Sequence, residues 1–365
     1  INFIFNLFIN FVKANFFVTE KHNEHNQLFF YSKPVWHLIT QLGILQLELD
    51  NLEKVKDRSE LSPYNLIERP IGKLRFVPKN DSLRPIMTFH KRFRDNKQNK
   101  LCRIASYLTP IKIVLRSIKQ SLTESLGFSV FDNHQIFLKL EAFATKWRQM
   151  GKPFLFCASM DIRKCYDSVN LEKMFDFIKE EKMFKEFYLV NNFYKIIRNK
   201  RYYFDENNPG AVKKLINLFL CKRRDTSNTI EDLVDLKNYF KDKIIIPENT
   251  IFIDSGVKYI VTKDEIMEKL SFICNKSFVK FGKSYYRLNR GLPQGLSVSS
   301  VLSSYYYAVL EYQATVDVVA QIEKEGGLCL IMRLTDDYLI FTNKQEYTTL
   351  ITERLMNVAK SNDFQ

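Results

Sequence analysis

None of the six cysteines (Cys102, Cys157, Cys165, Cys221, Cys274, Cys329) stands in a CxxC spacing, and several fall inside apolar stretches. That excludes a zinc ribbon or a disulfide framework, and the six read as reduced, buried, intracellular thiols. Internal repeats and low-complexity linkers are also absent. The opening Ile1-to-Val12 is apolar but broken by Asn2, Asn6 and Asn10. It lacks the basic start of a signal peptide and is too short to span a bilayer. Because the chain opens at Ile1 rather than Met, this stretch reads as the end of a helix cut from a preceding domain. Acidic residues are outnumbered: 55 Lys and Arg against 41 Asp and Glu leave a formal net charge of +14. With aromatics at 14%, that favours a polyanionic partner, nucleic acid before membrane. The 365 residues suffice for more than one domain and a large core.

The most informative stretch runs from Leu330 to Thr342. Leu330, Met332 and Leu334 alternate with Ile331 and Arg333, the period of a half-buried strand. Asp336-Asp337 then forms a tight turn before an apolar run rich in β-formers. Adjacent carboxylates suit a turn for purely local reasons. They also repel at low dielectric, a cost that a divalent cation would remove. Upstream, Phe154 to Asp161 is a second apolar strand ending in an aspartate. A helix follows, with Asn170 as N-cap and Leu171, Met174, Phe175 and Ile178 on one face. Two strand-end carboxylate sites can converge on a pair of metals. One ion then activates a 3′-hydroxyl and the other holds the triphosphate and leaving group.

Between the two sites lies Arg290-Gly291-Leu292-Pro293-Gln294-Gly295. Asp161 with Tyr166 five residues on, Gly-Leu-Pro-Gln-Gly, and Leu-Thr-Asp-Asp-Tyr follow the order of reverse transcriptase motifs A, B and C. The wording resembles the telomerase reverse transcriptase family, its ciliate type most closely. Further upstream, Phe16 to Glu20 and Leu28 to Tyr31 read as two strands, with Pro34 opening a helix through Leu45. This run resembles the T motif of that family, which ends an RNA-binding domain and grips the template boundary; Phe17, Thr19, Glu20, Tyr31 and Trp36 are its candidate RNA contacts. The hairpin of Leu74–Lys79 and Leu83–Phe89 resembles motifs 1 and 2. Lys79 and Arg84 would there face the triphosphate, although unaided they read equally as solvated charges beside a turn. Gly127 to Trp147 resembles motif 3.

The other expectations are structural. Residues 47–60 and 101–122 read as helical, and His90 to Lys100 as a basic loop. From Asp161 to Gln294 is 294 − 161 = 133 residues, long for a compact polymerase palm. Within it, Phe187–Arg201 and the basic Lys213–Arg224 read as helices, and Ile244–Val261 as extended. Thr262-Lys263-Asp264-Glu265 caps a helix burying Ile266, Leu270 and Ile273. Val298, Val301, Leu302, Tyr305, Val309 and Tyr312 form a helical stripe.

The resemblance implies an α+β, right-hand polymerase (reverse transcriptase) architecture of fingers and palm, preceded by the end of a helical RNA-binding domain. Residues 1–60 would close that domain and 61–150 form the fingers. Residues 151–365 would form the palm, interrupted at 185–282 by an insertion in the fingers. Two Mg²⁺ ions would be held by Asp161, the carbonyl of Ile162, Asp336 and Asp337, with Asp161, Asp336 and Asp337 catalytic. Tyr166 would underlie the sugar and exclude a 2′-hydroxyl, unless it is simply core. Gln294 and Gly295 would contact the nucleotide, and Arg290, Gly291 and Pro293 the template or primer. Gly291 and Gly295 would let the backbone approach nucleotide and template closely, and Asp167 would orient a neighbouring side chain.

The expected partners are telomerase RNA, a single-stranded telomeric DNA primer, deoxynucleoside triphosphates and accessory proteins of unspecified kind, in the nucleus at telomeres. The excerpt alone would not extend a primer. A mobile-intron or retroelement reverse transcriptase is the alternative, disfavoured by the long interval, the T-like run and the missing Tyr-x-Asp-Asp box. A decayed, non-catalytic scaffold is disfavoured because all three carboxylates stand.

Overall fold

The computed structural model describes residues 2–22, 24–57, 59–95, 99–121, 127–180, 184–205, 208–227 and 250–361. In chain order the elements are α1 (Asn2–Asn15), β1 (Phe16–Lys21), β2 (Glu24–Ser32), α2 (Lys33–Asp50), β3 (Leu52–Lys54), α3 (Pro63–Ile67), β4 (Ile71–Pro78) and β5 (Leu83–Thr88). Then follow β6 (Arg92–Asp95), β7 (Lys100–Arg103), α4 (Ile104–Tyr107), α5 (Thr109–Ser121), α6 (Asn133–Gln149), β8 (Phe156–Asp161) and α7 (Leu171–Glu180). The rest are β9 (Phe187–Asp205), β10 (Asn208–Ser227), β11 (Thr250–Thr262), α8 (Lys263–Lys276), β12 (Phe278–Phe281), β13 (Ser284–Leu288), α9 (Ser299–Lys324), β14 (Cys329–Leu334), β15 (Asp337–Thr342) and α10 (Gln345–Ser361).

Two compact units result, one of Ile1–Tyr107, Glu124–Phe175 and Leu270–Gln365, the other of Leu108–Thr123 and Asp176–Lys269. Among the described residues no helix is long and apolar enough to cross a membrane.

The first unit holds a five-stranded sheet in the order β3-β13-β12-β4-β5. The pairing of β12 with β4 is parallel, so strands some 200 residues apart in sequence become neighbours. One cluster joins helix to sheet: Ile44 and Leu47 of α2 with Leu74, Phe76, Met87, Val279, Tyr286 and Leu288. A second sheet, β14-β15-β8, is antiparallel throughout. Phe128 and Val130 extend it by bonding to both backbone groups of Arg333 at 2.8 Å.

The expected hairpin at 74–89, the strand ending at Asp161, the Asn170 cap (Oδ1 accepting from Lys173 N at 3.0 Å) and the Thr262 cap are all present. Ile266, Leu270 and Ile273 are buried as expected.

Several expectations are corrected. The helix opened by Pro34 runs on to Asp50, and 52–54 is strand rather than helix, because Leu52 is drawn into the core beside β13. The basic loop at 90–100 belongs to a hairpin, β6 with β7, and Phe93 at its centre is fully buried. The helix expected over 101–122 starts as strand and is broken at Leu108 before Thr109-Pro110. Tyr312 is 65% exposed, whereas α9 is buried on every side from Leu302 to Glu311. A helix covered on every side belongs to the interior, with Ser303, Ser304 and Glu311 buried alongside the apolar residues, so the single stripe understated it.

In the second unit, Phe187–Asp205 and Asn208–Ser227 are strands, not helices, paired antiparallel with β11 on the free side of β9. Their aromatic and β-branched residues satisfy both periods and favour the pleated surface. The Asn208-Pro209-Gly210 run was an available sign that no helix continues through this segment. Of the segment read as extended, 244–249 lies outside the described residues and 250–261 is strand.

Candidate active site

Asp161 closes β8 and Asp337 opens β15, and the two are directly opposed in the ladder. Opposed residues put their Cβ atoms about 4.5–5.5 Å apart on one face. Asp336 stands in the two-residue turn before Asp337. Thr335 beside it has φ +61, a left-handed conformation that a β-branched residue adopts only under constraint. The constraint is visible: Thr335 O accepts from Arg333 Nη1 at 2.9 Å, and Asp336 O accepts from Ile162 N at 2.9 Å. Burial pushes the Asp336 carboxyl above its ordinary value, the charges of Asp337 and Asp161 push it further, and Arg84 opposes them.

Arg333 is the residue that the sequence pattern hid. It is fully buried in an ion pair with Glu311 of α9. Its Nη2 donates to Ser129 Oγ at 2.7 Å and to Ser304 O at 3.0 Å. Tyr338 donates its hydroxyl to the same Glu311 at 2.7 Å. A lone arginine within an apolar strand was the available signal.

The turn after β8 meets the Gly291–Gly295 loop. Leu292 N donates to Tyr166 O at 2.8 Å and Gly291 N to Val169 O at 3.0 Å. Gln294 Nε2 lies 3.2 and 3.1 Å from the two oxygens of Asp167. Arg290 reaches Ser168 O at 3.5 Å, and Pro293 O accepts from Ser299 Oγ at 2.8 Å. Burial pushes the Cys165 and Cys274 thiols up to about 12, so neither is a thiolate nucleophile. Cys157, by contrast, is exposed rather than buried.

A cleft of about 1140 Å³ opens over this junction. Asp161, Ile162, Asp336, Tyr166 and Gln294 line it together with Lys79 of the β4–β5 turn, Arg84 of β5, Tyr31 and Trp36. Asp337, Arg290, Gly291, Pro293, Gly295, Phe17, Thr19 and Glu20 stand outside its lining. Phe17 stacks on Trp36 (centroids 4.4 Å, planes 7° apart), and Tyr31 leans on the same ring at 5.2 Å. Thr19 Oγ1 donates to Glu20 O, and Glu20 is exposed. His22, missed from sequence, meets Arg84 through Nε2 at 2.9 Å, while its backbone N–H donates to Pro78 O.

The glycines are also required by the chain's own packing. At Gly291 (φ +84) a Cβ would lie 2.6 Å from Tyr166 O, and at Gly295 (φ +93) 2.1 Å from Met87 O. The close approach is of chain to chain, locking the loop onto its neighbours. Gly282 is also left-handed (φ +58) but has open space around it. Gly282→Ala should therefore cost only the backbone strain, about 1–3 kcal/mol. Gly295→Ala should cost clearly more, read by urea unfolding; equal losses would remove the packing role.

Magnesium takes one or two carboxylates and completes its shell with water and phosphate oxygens. Asp161, Asp336 and Asp337 fit that demand, and the mutual repulsion felt by Asp336 is what a cation would relieve. Among the described residues no three His, Cys, Asp or Glu side chains already close on one point. A cation here would draw its remaining oxygens from a nucleotide and water.

The comparisons with known proteins agree with one another. Residues 1–47 match the family model described as "Telomerase ribonucleoprotein complex - RNA binding domain". The chain is 34% identical to the telomerase reverse transcriptase of Tetrahymena thermophila over 376 aligned residues, covering 97% of this chain and 33% of that protein. It is 30% identical to the Euplotes aediculatus protein, covering 98% and 35%. Among solved structures, telomerase from Candida albicans in complex with a fragment of telomeric RNA superposes with a TM-score of 0.63 at 18% identity, covering 97% of this chain and 50% of that one. Apo telomerase from Candida tropicalis gives 0.62 at 18%, covering 97% and 51%. The mixed helix-and-strand fold is thus that of telomerase structures. The chain is a telomerase reverse transcriptase homologue of the ciliate type, spanning about a third of the length of the ciliate relatives it matches.

Proposed function

We propose that this chain carries the nucleotide-addition centre of a telomerase catalytic subunit, which copies an RNA template onto single-stranded telomeric 3′ ends. The observation that supports it most is the shared cleft, where Asp161 and Asp336 face Lys79, Arg84, Tyr166 and Gln294. In this reading the first unit supplies palm and fingers around that cleft. Residues 185–282, most of which lie in the second unit, are the insertion in the fingers, and 1–60 end the RNA-binding domain.

Asp161, Asp336, Asp337 and the carbonyl of Ile162 would hold Mg²⁺. When bound, the ions activate the primer hydroxyl and neutralise triphosphate charge. Arg84 and Lys79 present cationic donors to the phosphates, Arg84 in the forked geometry that grips two oxygens. The ring of Tyr166, half-buried and lining the cleft with Asp336 and Arg84, bounds the sugar and selects deoxynucleotides by shape. Asn or Gln amides such as Gln294 orient a ligand without adding charge. Arg290, Gly291, Pro293 and Gly295 hold the loop toward template and primer. The stacked Phe17, Trp36 and Tyr31, with Thr19 and Glu20 on the same hairpin, form the surface for telomerase RNA. The working place is the nucleus, at telomeres.

The test is extension of a single-stranded telomeric primer by the full-length protein purified with its RNA. Synthesis should need that RNA, stop after ribonuclease, and the RNA should carry a telomere-complementary repeat. Synthesis on any added template, with no such RNA bound, would favour a mobile-element reverse transcriptase.

A further inference from the structure

The end of α2 reaches the turn after β8 through polar contacts to which nucleotide addition assigns no task. Asp50 is the last residue of α2 and Asn51 its C-cap. Asp50 Oδ2 accepts from Lys164 Nζ at 2.5 Å, and Lys164 has φ +54. Asn51 Nδ2 donates to Asp167 Oδ1 at 2.9 Å, and Asn51 O accepts from Asn289 N at 2.9 Å. Asp167 in turn takes the Gln294 amide on both of its oxygens.

Asn51 is 4% exposed, and its Oδ1 is buried without a partner. An orphaned buried oxygen is destabilising, a cost that an apolar side chain of similar size would avoid. The amide is therefore there for its donor, and the donor serves Asp167. An ionised Asp167 accepts only, so it must face the Nε2 of Gln294 rather than its Oε1. Gln294 is thereby held in one amide orientation, with Oε1 left as a hydrogen-bond acceptor for the cleft. Without Asp167 the amide could turn over, since its terminal torsion is soft.

We propose that the C-terminal end of α2 is a nucleotide-positioning device: Asp50 and Asn51 fix Lys164 and Asp167, and Asp167 sets the amide of Gln294. Asp167 and Asn51 are then positioning residues, acting through Gln294 on a ligand that offers a hydroxyl or amino donor. Because α2 continues from the β1–β2 hairpin, whose tip meets Arg84 through His22, the hairpin–helix segment touches the cleft at both ends. The inference rests on the cleft being the nucleotide site.

The experiment is steady-state extension of one nucleotide by the full-length protein with its RNA, varying the nucleotide. Asp167→Asn keeps the volume but puts an NH₂ against one of its donors. It should raise the nucleotide KM about tenfold, the loss of one charge-assisted hydrogen bond, with kcat within about twofold. Asn51→Leu should raise KM in the same direction, and the two changes should not add. Gln294→Ala should gain nothing further from Asp167→Asn. Should Asn51→Leu fail to fold, Asp50→Asn, at the helix end and part-exposed, gives the same reading through Lys164. Variants that lower melting temperature or kcat while leaving KM unchanged would overturn the device and leave the function standing. A wild-type protein that extends nothing would overturn the function itself.

Discussion

Asn in place of Asp336 or Asp161 should lower primer extension by the full-length protein by orders of magnitude, because in the proposed site each change removes a charged ligand for the metal ions at constant volume. The same substitution at Asp336 should raise the melting temperature of the protein without added metal. The sign follows from its pKa, which burial and then the charges of Asp337 and Asp161 hold above the ordinary 3.8. A carboxyl whose folded pKa exceeds its unfolded value favours the fold most below the unfolded value. That contribution is lost as pH rises through the folded pKa. The advantage of Asp336→Asn over wild type should therefore be absent below the unfolded pKa, grow as pH rises above about 4, and level off above the folded pKa. Magnesium should stabilise the wild type and do less for the variant. Extension at the wild-type rate in either Asn variant would sink the carboxylate assignment. A melting advantage that falls with rising pH would sink the electrostatic one.

The second large effect lies beneath the turn. Glu311→Ala leaves Arg333, 0% exposed, as an uncompensated buried charge. Breaking such a pair from one side costs about 3–5 kcal/mol, enough to unfold many domains. It also strips the acceptor from the Tyr338 hydroxyl and from Phe128 N. Replacing both partners together, Glu311→Met with Arg333→Met, should recover most of that loss, since packed apolar side chains often equal a buried pair. The double variant still lacks the Arg333 bond to Thr335 O, so the strained turn carrying Asp336 loses its tether. The expected outcome is a folded protein with a normal melting curve and at least tenfold slower extension. Equal recovery of stability and activity would mean that the pair only fills space, and failure of the double variant to recover stability would remove the desolvation account.

What could be read along the chain was local. The strand ending at Asp161, the caps at Asn170 and Thr262 and the hairpin around Asn80 all follow from periods of two or 3.6 and from turn chemistry, whereas the turn read at Asp336-Asp337 lies one residue earlier, at Thr335-Asp336, with Asp337 already in strand. The candidate residues were legible because motif order placed carboxylates at two strand ends with the glycine loop between them. Where the two periods compete, as in Phe187–Ser227, local pattern misled, and pairing of β9 with β10 and β11 decided for sheet. Leu52 and Phe93 show the same priority: each enters a buried cluster that no neighbouring residue announces.

Residue order alone therefore determined the elements that carry Asp161, Asp336, Lys79, Arg84 and Gln294, since each sits at a turn specified by its immediate neighbours. Only tertiary structure decided which charges are paired and which glycines are obligatory. Arg333 looks like a surface residue of an alternating strand until α9 places Glu311 against it. Gly295 looks like a ligand-facing glycine until the carbonyl of Met87, more than 200 residues away in sequence, occupies the space of its Cβ. The reason is physical: desolvation and steric exclusion depend on what lies within a few ångströms, and in this chain those neighbours come from remote segments.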